Sequence, residues 1–269
     1  MSTSTTGSGD GRHLEMVRVL GPIDALLAHD HVVTFGSRRE RVLLAALAVS
    51  ANHAVSFDQL AQILWEDDPP ASRDNTLQSY MSRLRHLLGH GTIESGDHSY
   101  TLVVANDQLD ALVAERFAKQ AVAHRYEPTR CMALCRRALA LWRGTPFGDL
   151  ADDDPFRLEV IRLEEMRLFV VELRLACDIV LGREGLAVGA LRAYVQEYPD
   201  RERLWYLFIA ALALGGRRTE ALRAYDDLQS RLTADGLEPL AETRALRRDV
   251  VDETADLRSG LLDAMAGAR

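Results

Sequence analysis

The stretch from Pro69 to Gly89 limits what this chain can fold into more than any other part of it. Its apolar residues recur at intervals of three and four, which places them in one stripe along a helix. The stripe consists of Leu77, Met81, Leu84 and Leu88. The opposite face carries amides, hydroxyls and guanidinium groups, the side-chain types that contact base edges and phosphates in a DNA groove. The sequence therefore predicts an amphipathic helix over residues 72–88, with one face in a core and the other facing a nucleic acid.

Nine side chains of this helix are predicted to contact DNA, because they lie on the polar face or beside it. They are Arg73, Asn75, Thr76, Gln78, Ser79, Ser82, Arg83, Arg85 and His86. Two roles stay open for Arg85, which lies at the edge of the apolar stripe. It binds a phosphate, or it locks the helix to its own domain through a carboxylate. The alternative for the whole polar face is simple solvation.

A small β-sheet and a first helix are predicted near the N-terminus. Short runs of aliphatic and β-branched residues, separated by turn signals such as Gly21-Pro22, have the pattern of strands. The predicted strands span residues 16–20, 23–27 and 32–35, and the predicted helix spans residues 37–49.

A second helix and a hairpin flank the amphipathic helix. Ser56 and Gln59 have the spacing of a capping box, which predicts a helix that begins after Ser56 and is stopped by the prolines at 69–70. Ser72 is predicted to cap the amphipathic helix. Residues 92–104 then have a strand–turn–strand pattern. This order is typical of an OmpR-type winged helix-turn-helix, whose third helix enters the major groove.

The strand pattern disappears after about residue 109, and seven helices are predicted instead. They span residues 109–125, 128–142, 155–181, 186–198, 202–214, 219–233 and 241–257. The pentapeptide Ala-Leu-Arg-Ala-Tyr occurs at 190–194 and again at 221–225, while Gly182 and Gly216 lie 34 residues apart. A period near 34 predicts tetratricopeptide-like helical pairs. The predicted fold class is therefore α+β but mostly α, with a winged helix followed by an all-α repeat domain.

Composition limits the remaining choices. The chain has 269 residues and a net charge of -8, and residues 1–106 alone carry 8 basic and 12 acidic residues. DNA affinity must therefore come from a local basic surface rather than from the whole domain. No apolar run is long enough for a membrane span, so we expect a cytoplasmic protein. Its three cysteines fit no zinc motif and are expected to be buried in helices. We predict a disordered tail at 1–13, a winged-helix domain at 14–106 and a helical domain at 107–269.

The chain resembles the Streptomyces antibiotic regulatory protein family, also called the AfsR/DnrI/RedD family, from about residue 17 to 246. In the first half, the similar motifs are Val-Leu-Gly-Pro at 19–22, Arg-Glu-Arg-Val-Leu-Leu-Ala at 39–45, Leu-Trp-Glu-Asp-Asp-Pro-Pro at 64–70, and Asn-Thr-Leu-Gln at 75–78 with Ser-Arg-Leu-Arg at 82–85. In the second half, residues 138–144, 162–168, 201–205 and 236–239 resemble the bacterial transcriptional activation domain of that family.

This resemblance implies a sequence-specific transcriptional activator, commonly of an antibiotic or other secondary-metabolite gene cluster. Such proteins bind direct repeats in double-stranded DNA near a promoter and contact RNA polymerase holoenzyme. A homodimer on DNA is a further expectation, because direct repeats present two equivalent half-sites. The resemblance is to the short form of the family, which has no ATPase module.

The predicted wing departs from the family pattern. Its turn contains Glu94 and Asp97 and no arginine, whereas wings of the family often carry an arginine before the tyrosine of the second strand. These acids and the acidic first half favour an alternative function, in which the chain is a protein-interaction adaptor whose winged helix has lost DNA affinity.

Enzyme activity is not predicted, because the sequence has no G-x-S-x-G elbow, H-E-x-x-H motif or phosphate-binding loop. The acids at 152–154 precede a predicted helix, where they favour the helix dipole. His29 and His31 alternate in a strand context, but no third metal ligand accompanies them. We therefore expect no catalysis, no cofactor and no metal.

Overall fold

A computed structural model describes residues 13–66, 68–252, 257–258 and 260–262 of the chain. The described chain forms two compact units. The first comprises the described residues of the range 1–116 and Ala140–Met166, and the second comprises Phe117–Leu139 and the described residues of the range 167–269. The predicted N-terminal tail at 1–13 lies outside the described residues except for His13.

The first unit begins with the predicted small sheet. Strands β1 (Leu14–Arg18), β2 (Asp24–Leu27) and β3 (His31–Thr34) pair antiparallel in the order β1-β2-β3. Three helices follow, and they confirm the predicted order: α1 (Arg38–Val49), α2 (Phe57–Trp65) and α3 (Arg73–Leu88).

The wing is a three-stranded sheet. Between α1 and α2 lies the two-residue strand β4 (Val55–Ser56), and after α3 come β5 (Ile93–Gly96) and β6 (Ser99–Leu102). The strand order is β4-β6-β5, with Val55 opposite Tyr100. The hairpin at 92–104 is thus confirmed. The sequence did not predict β4, because two residues are too few to show an alternating pattern.

The two predicted helix caps have different outcomes. At α2 the capping box is present, since the Ser56 side chain accepts a hydrogen bond from the backbone N–H of Gln59 and the Gln59 side chain accepts one from the backbone N–H of Ser56. At α3 the predicted cap is wrong, because Ser72 makes no side-chain cap hydrogen bond. Its backbone, at φ -94° and ψ 21°, is not in the extended conformation that a capping serine adopts.

A later segment of the chain belongs to the first unit and lies on the turn between β1 and β2. The backbone N–H of Arg143 donates to the Leu20 carbonyl at 2.7 Å, and that of Phe147 donates to the Val19 carbonyl at 2.7 Å. On the same turn, the buried carboxylate of Asp110 accepts the backbone N–H groups of Val19 and Leu20 at 2.9–3.0 Å. Residues far apart in the chain therefore hold this turn in place.

The rest of the described chain is mainly helical, as predicted. The α-helices are α4 (Asp110–Ala123), α5 (Pro128–Leu139), α6 (Asp154–Val180), α7 (Glu184–Glu197), α8 (Glu202–Leu214), α9 (Arg218–Ala234) and α10 (Ala241–Asp252). A short 3-10 helix, Gly148–Leu150, lies between α5 and α6. Helix α5 ends at Leu139 rather than at residue 142, and residues 253–256 of the last predicted helix lie outside the described residues.

In the second unit, α7 packs on α8 and α8 on α9, while α10 packs on both α8 and α9. Helices α6 and α8 are followed by glycines with left-handed backbone, Gly182 at φ 76° and Gly216 at φ 74°. Glycine adopts this conformation without steric cost because it has no Cβ. The residue after each glycine caps the helix by donating its backbone N–H to a carbonyl of the last turn. Arg183 donates to the Asp178 carbonyl and Arg217 to the Leu212 carbonyl, both at 2.9 Å. The 34-residue spacing of these glycines thus marks equivalent helix ends, and the predicted repeat fold is confirmed.

Two further expectations concern the whole chain. The three cysteines, Cys131, Cys135 and Cys177, are buried with free thiols, as predicted. Within the described ranges, none of the helices combines the length and the apolar character that a membrane crossing requires.

Candidate nucleic-acid interface

Helix α3 has the two faces that the sequence predicts. Leu77, Met81, Leu84 and Leu88 are fully buried in the core of the first unit. All nine predicted DNA-contacting residues lie on α3, and most of them are exposed. The exposed ones are Arg73, Asn75, Gln78, Ser79, Ser82, Arg83 and His86, while Thr76 and Arg85 are half-buried.

Two hydroxyls on this face hydrogen-bond to their own helix. The Ser79 hydroxyl donates to the Asn75 carbonyl at 2.8 Å, and the Thr76 hydroxyl donates to the Ser72 carbonyl at 2.9 Å. This bonding fixes the hydroxyl protons along the helix and leaves the hydroxyl oxygens as acceptors. Ser79 and Thr76 are therefore suited to accept hydrogen bonds from base donors rather than to donate to a phosphate.

The exposed arginines of α3 have acidic neighbours. Arg73 lies 3.5 Å from a carboxylate oxygen of Asp58 and 3.4 Å from one of Asp74. Arg83 lies 3.7 Å from a carboxylate oxygen of Glu40 on α1. These carboxylates partly balance the guanidinium charges, so the basic surface is weaker than a count of arginines along the helix indicates.

Arg85 holds the wing. Its Nε donates to the Ile93 carbonyl and its Nη2 to the Ser95 hydroxyl, both at 2.7 Å, and its guanidinium lies 5.5 Å from the centre of the Tyr100 ring. These are contacts within the domain, as in one of the two roles left open by the sequence, and the DNA contact of Arg85 stays a prediction. Its partners are a carbonyl and a hydroxyl of β5, however, and not a carboxylate.

Sequence reasoning missed two residues beside the polar face. Arg39, which is exposed in the first turn of α1, has its Nη1 3.5 Å from the phenol oxygen of Tyr80 on α3. The guanidinium of Arg83 lies 5.8 Å from the centre of the Tyr80 ring. The basic run Arg38-Arg39 was the available signal, but its position next to α3 depends on how α1 packs.

The wing is acidic where it faces solvent. Glu94 and Asp97 are both exposed, and His98, which completes the turn, has a left-handed backbone at φ 45°. The wing thus presents two carboxylates and no arginine side chain at its turn, as the sequence predicts.

Two family models match the chain, in the same order as the described elements. The model for the "Transcriptional regulatory protein, C terminal" family matches residues 33–98, which contain α1 to α3 and the wing strands β4 and β5 but not β6. The model for the "Bacterial transcriptional activator domain" matches residues 109–251, which contain α4 to α10 apart from the last residue of α10.

Several curated regulators are similar to this chain. Regulatory protein DnrI of Streptomyces peucetius is 33% identical over 251 residues, which cover 87% of this chain and 91% of DnrI. Regulatory protein AfsR of Streptomyces griseus is 33% identical over 246 residues, which cover 89% of this chain but only 25% of AfsR. The chain therefore spans nearly all of DnrI and about a quarter of AfsR.

A solved structure shares the fold. The structure of Mycobacterium tuberculosis EmbR in complex with a low affinity phosphopeptide is similar with a TM-score of 0.88 and 26% sequence identity. The similarity covers 95% of this chain and 70% of the EmbR chain.

Proposed function

Because this chain belongs to the Streptomyces antibiotic regulatory protein family, a family of transcriptional regulators, we propose that it is a sequence-specific DNA-binding activator. Its targets are the genes of a secondary-metabolite cluster. The observation that carries the proposal is α3, which buries one apolar face completely and exposes a continuous polar face beside a wing. That arrangement suits insertion of the helix into the major groove.

The residues at the centre of the polar face contact the base edges and recognise the DNA sequence. The exposed amides of Asn75 and Gln78 can bond bidentately to adenine, and the hydroxyl of Ser82 can pair with several bases. Two copies of the chain bind the two half-sites of a direct repeat, each with one α3 in the groove. The 14–106 region supplies the DNA contacts, and the 107–269 region contacts RNA polymerase holoenzyme.

Equilibrium binding tests this proposal directly. We would titrate labelled duplexes from upstream regions of the neighbouring gene cluster, and a scrambled duplex of equal composition, at fixed and stated salt. We expect selective binding to at least one upstream region. Gln78→Ala should lower the preference for that region by about 1–3 kcal/mol, the discrimination of one bidentate contact.

Arg130→Ala is a suitable control, because Arg130 is an exposed arginine of α5 that is paired with Glu127. It should leave the preference unchanged. Absence of selective binding to any upstream region at moderate salt would refute the DNA-binding proposal.

The exposed Glu94 and Asp97 of the wing favour a second candidate function, a protein-interaction adaptor without DNA affinity. The same titration separates the two functions. An adaptor would bind neither duplex selectively, and Glu94→Gln with Asp97→Asn would not create selectivity. An activator with a repulsive wing would instead bind both duplexes more tightly after these substitutions.

A further inference from the structure

Three side chains form a cluster on the flank of α3 that faces α1. Tyr80 and Arg83 are one turn apart on α3, and the guanidinium of Arg83 lies 5.8 Å from the centre of the Tyr80 ring. From α1, Nη1 of Arg39 approaches the Tyr80 phenol oxygen to 3.5 Å. Arg85 lies on the opposite flank, where it holds the wing. The two flanks of α3 therefore differ: one is tied to the wing and the other carries two exposed guanidinium groups.

The charge of this cluster is positive. Arg83 is 65% exposed, and its acidic neighbour Glu40 is nearly buried, with 10% of its side chain exposed. Arg39 has no ion pair with any carboxylate among the described residues. The charges of the two guanidinium groups and of the Glu40 carboxylate add up to about one net positive charge.

The neighbouring arginines of α1 are already engaged. Arg38 is paired with Asp153 at 2.6 Å, and Arg41 with Asp149 at 2.6 Å. Both point to the segment that precedes α6, whereas Arg39 points to α3. Of the three arginines in residues 38–41, two are therefore paired with carboxylates, and the third, Arg39, contacts the phenol of Tyr80.

We propose that Arg39, Tyr80 and Arg83 bind one phosphate of the DNA backbone at the edge of the major groove. The inference rests on the proposed function, because it assumes that α3 enters the groove. When a helix lies in a major groove, the centre of its exposed face meets base edges and its flanks meet the sugar–phosphate strands. The α1-facing flank thus reaches a strand with two guanidinium groups and a phenol.

The chemistry of the cluster fits a phosphate. A phosphate oxygen only accepts hydrogen bonds, and guanidinium groups only donate them. Tyr80 accepts from Arg39 through its phenol oxygen and keeps its own O–H to donate. A phosphate of the DNA backbone must lie beside the residues that face the groove, and the cluster lies at that position. A carboxylate-bearing or apolar ligand would not require this position.

A phosphate contact has a thermodynamic signature that a base contact lacks. It carries no sequence information, so its loss weakens binding to all sequences by the same factor. It also releases condensed counterions, so each lost contact lowers the slope of log affinity against log salt by about 0.9.

The experiment uses the full-length chain with an upstream duplex that it binds and the scrambled duplex, titrated over a series of salt concentrations. Arg39→Gln should weaken binding to both duplexes by about the same factor, on the order of tenfold at low salt, and lower the salt slope by about 0.9. Tyr80→Phe should weaken binding to both duplexes by a smaller factor without changing the slope, because the phenol is neutral.

Arg38→Gln is the matched control, because it removes the same charge from the adjacent residue and Arg38 is paired with Asp153. It should leave the slope unchanged. The phosphate site is refuted if Arg39→Gln leaves the slope unchanged, weakens only the upstream duplex, or has no more effect than Arg38→Gln. If the wild-type chain binds neither duplex, the proposed function fails, and the phosphate site fails with it. If the wild-type chain binds and one of the outcomes above is found for Arg39→Gln, only the phosphate site fails.

Discussion

At the scale of the residue, arginines of the same helix have different roles because their neighbours differ. Arg83 stays largely exposed beside Glu40 and Tyr80, while two nitrogens of Arg85 are committed to β5. The sequence places both arginines near the polar face but cannot distinguish them. We expect Arg83 to affect DNA affinity directly and Arg85 to act by positioning the wing.

The first prediction concerns that positioning role. Arg85→Lys keeps the positive charge but removes the fork that reaches both Ile93 and Ser95. We expect the free energy of unfolding to fall by about 1–2 kcal/mol and amide exchange in β5 to become faster. Arg83→Lys is the control and should change stability by less than about 0.5 kcal/mol, as an exposed ion pair does. Equal stabilities of the two variants would contradict the role of Arg85.

The second prediction concerns Asp110. Burial raises the pKa of Asp110 to about 6, although the backbone N–H groups of Val19 and Leu20 and the Arg143 guanidinium act in the opposite direction. Since this pKa is higher in the folded chain than in the unfolded one, the folded chain binds the proton more tightly. The contribution of Asp110 to stability is therefore greatest below about pH 4, falls between about pH 4 and 6, and stays low above that range.

Asp110→Asn tests this pH dependence. The amide cannot ionise, so the part of the stability change between about pH 4 and 6 that Asp110 causes should disappear. The variant should also be less stable at low pH by about 1–3 kcal/mol, because the amide nitrogen that replaces one carboxyl oxygen only donates and cannot accept a bond from Val19 or Leu20. Denaturant unfolding at a series of pH values measures both effects. An unchanged pH profile would show that Asp110 does not titrate in this range.

At the scale of the element, a helix start depends on backbone conformation as well as on residue type. Ser56 and Ser72 precede α2 and α3, and their residue type predicts a cap at both positions. The Ser56 backbone is extended, at φ -67° and ψ 153°, and its side chain caps α2. The Ser72 backbone is close to helical, so its hydroxyl is not directed at the first free N–H groups.

The third prediction follows from this pair of serines. Ser56→Ala should destabilise the chain by about 1 kcal/mol, because it leaves the Gln59 N–H without its acceptor. Ser72→Ala makes the same chemical change at a helix start without a cap hydrogen bond, and we expect less than about 0.5 kcal/mol. Chemical denaturation of both variants measures the difference. A larger loss for Ser72→Ala would show that the hydroxyl of Ser72 stabilises α3 in another way.

At the scale of the whole molecule, the first unit is not one continuous stretch of chain. Residues 140–166 belong to it, and the backbone of Gly148 lies against the β1–β2 turn. Gly148 has a left-handed backbone at φ 55°, and a Cβ there would lie 2.9 Å from the Cα of Pro22. Only glycine fits this close approach without strain.

The fourth prediction compares Gly148 with a glycine that lies in open space. Gly182→Ala introduces left-handed strain alone, because no atom lies within 4 Å of its added Cβ, and should cost about 1–2 kcal/mol. Gly148→Ala adds a backbone clash and should cost more, with faster amide exchange at Val19 and Leu20. Hydrogen exchange measures the local stability around Gly148 in the first unit and around Gly182 in the second unit separately. Similar local losses at the two glycines would mean that the turn yields to the added methyl group.

Local sequence patterns were enough to predict most elements and the faces that they bury. The stripe of α3, the capping box of α2 and the repeat glycines at 182 and 216 depend on residues a few positions apart, where helix geometry fixes which side chains and backbone groups meet. Such local relations are visible in the order of residues. They were sufficient for the winged helix and the helical repeats, and for placing all nine predicted contact residues on one helix.

The surroundings of those residues depend instead on how the elements pack. Arg39 meets Tyr80 across 41 positions of the chain, and Arg143 reaches the turn at Leu20 from beyond α5. Whether Arg85 turns to the wing or to solvent likewise depends on the packing of β5 against α3. These contacts form when separate elements pack, and the packing is set by the summed fit of many side chains and not by any local pattern. The faces of the elements therefore follow from the sequence, while the partners of the side chains on them follow from the fold.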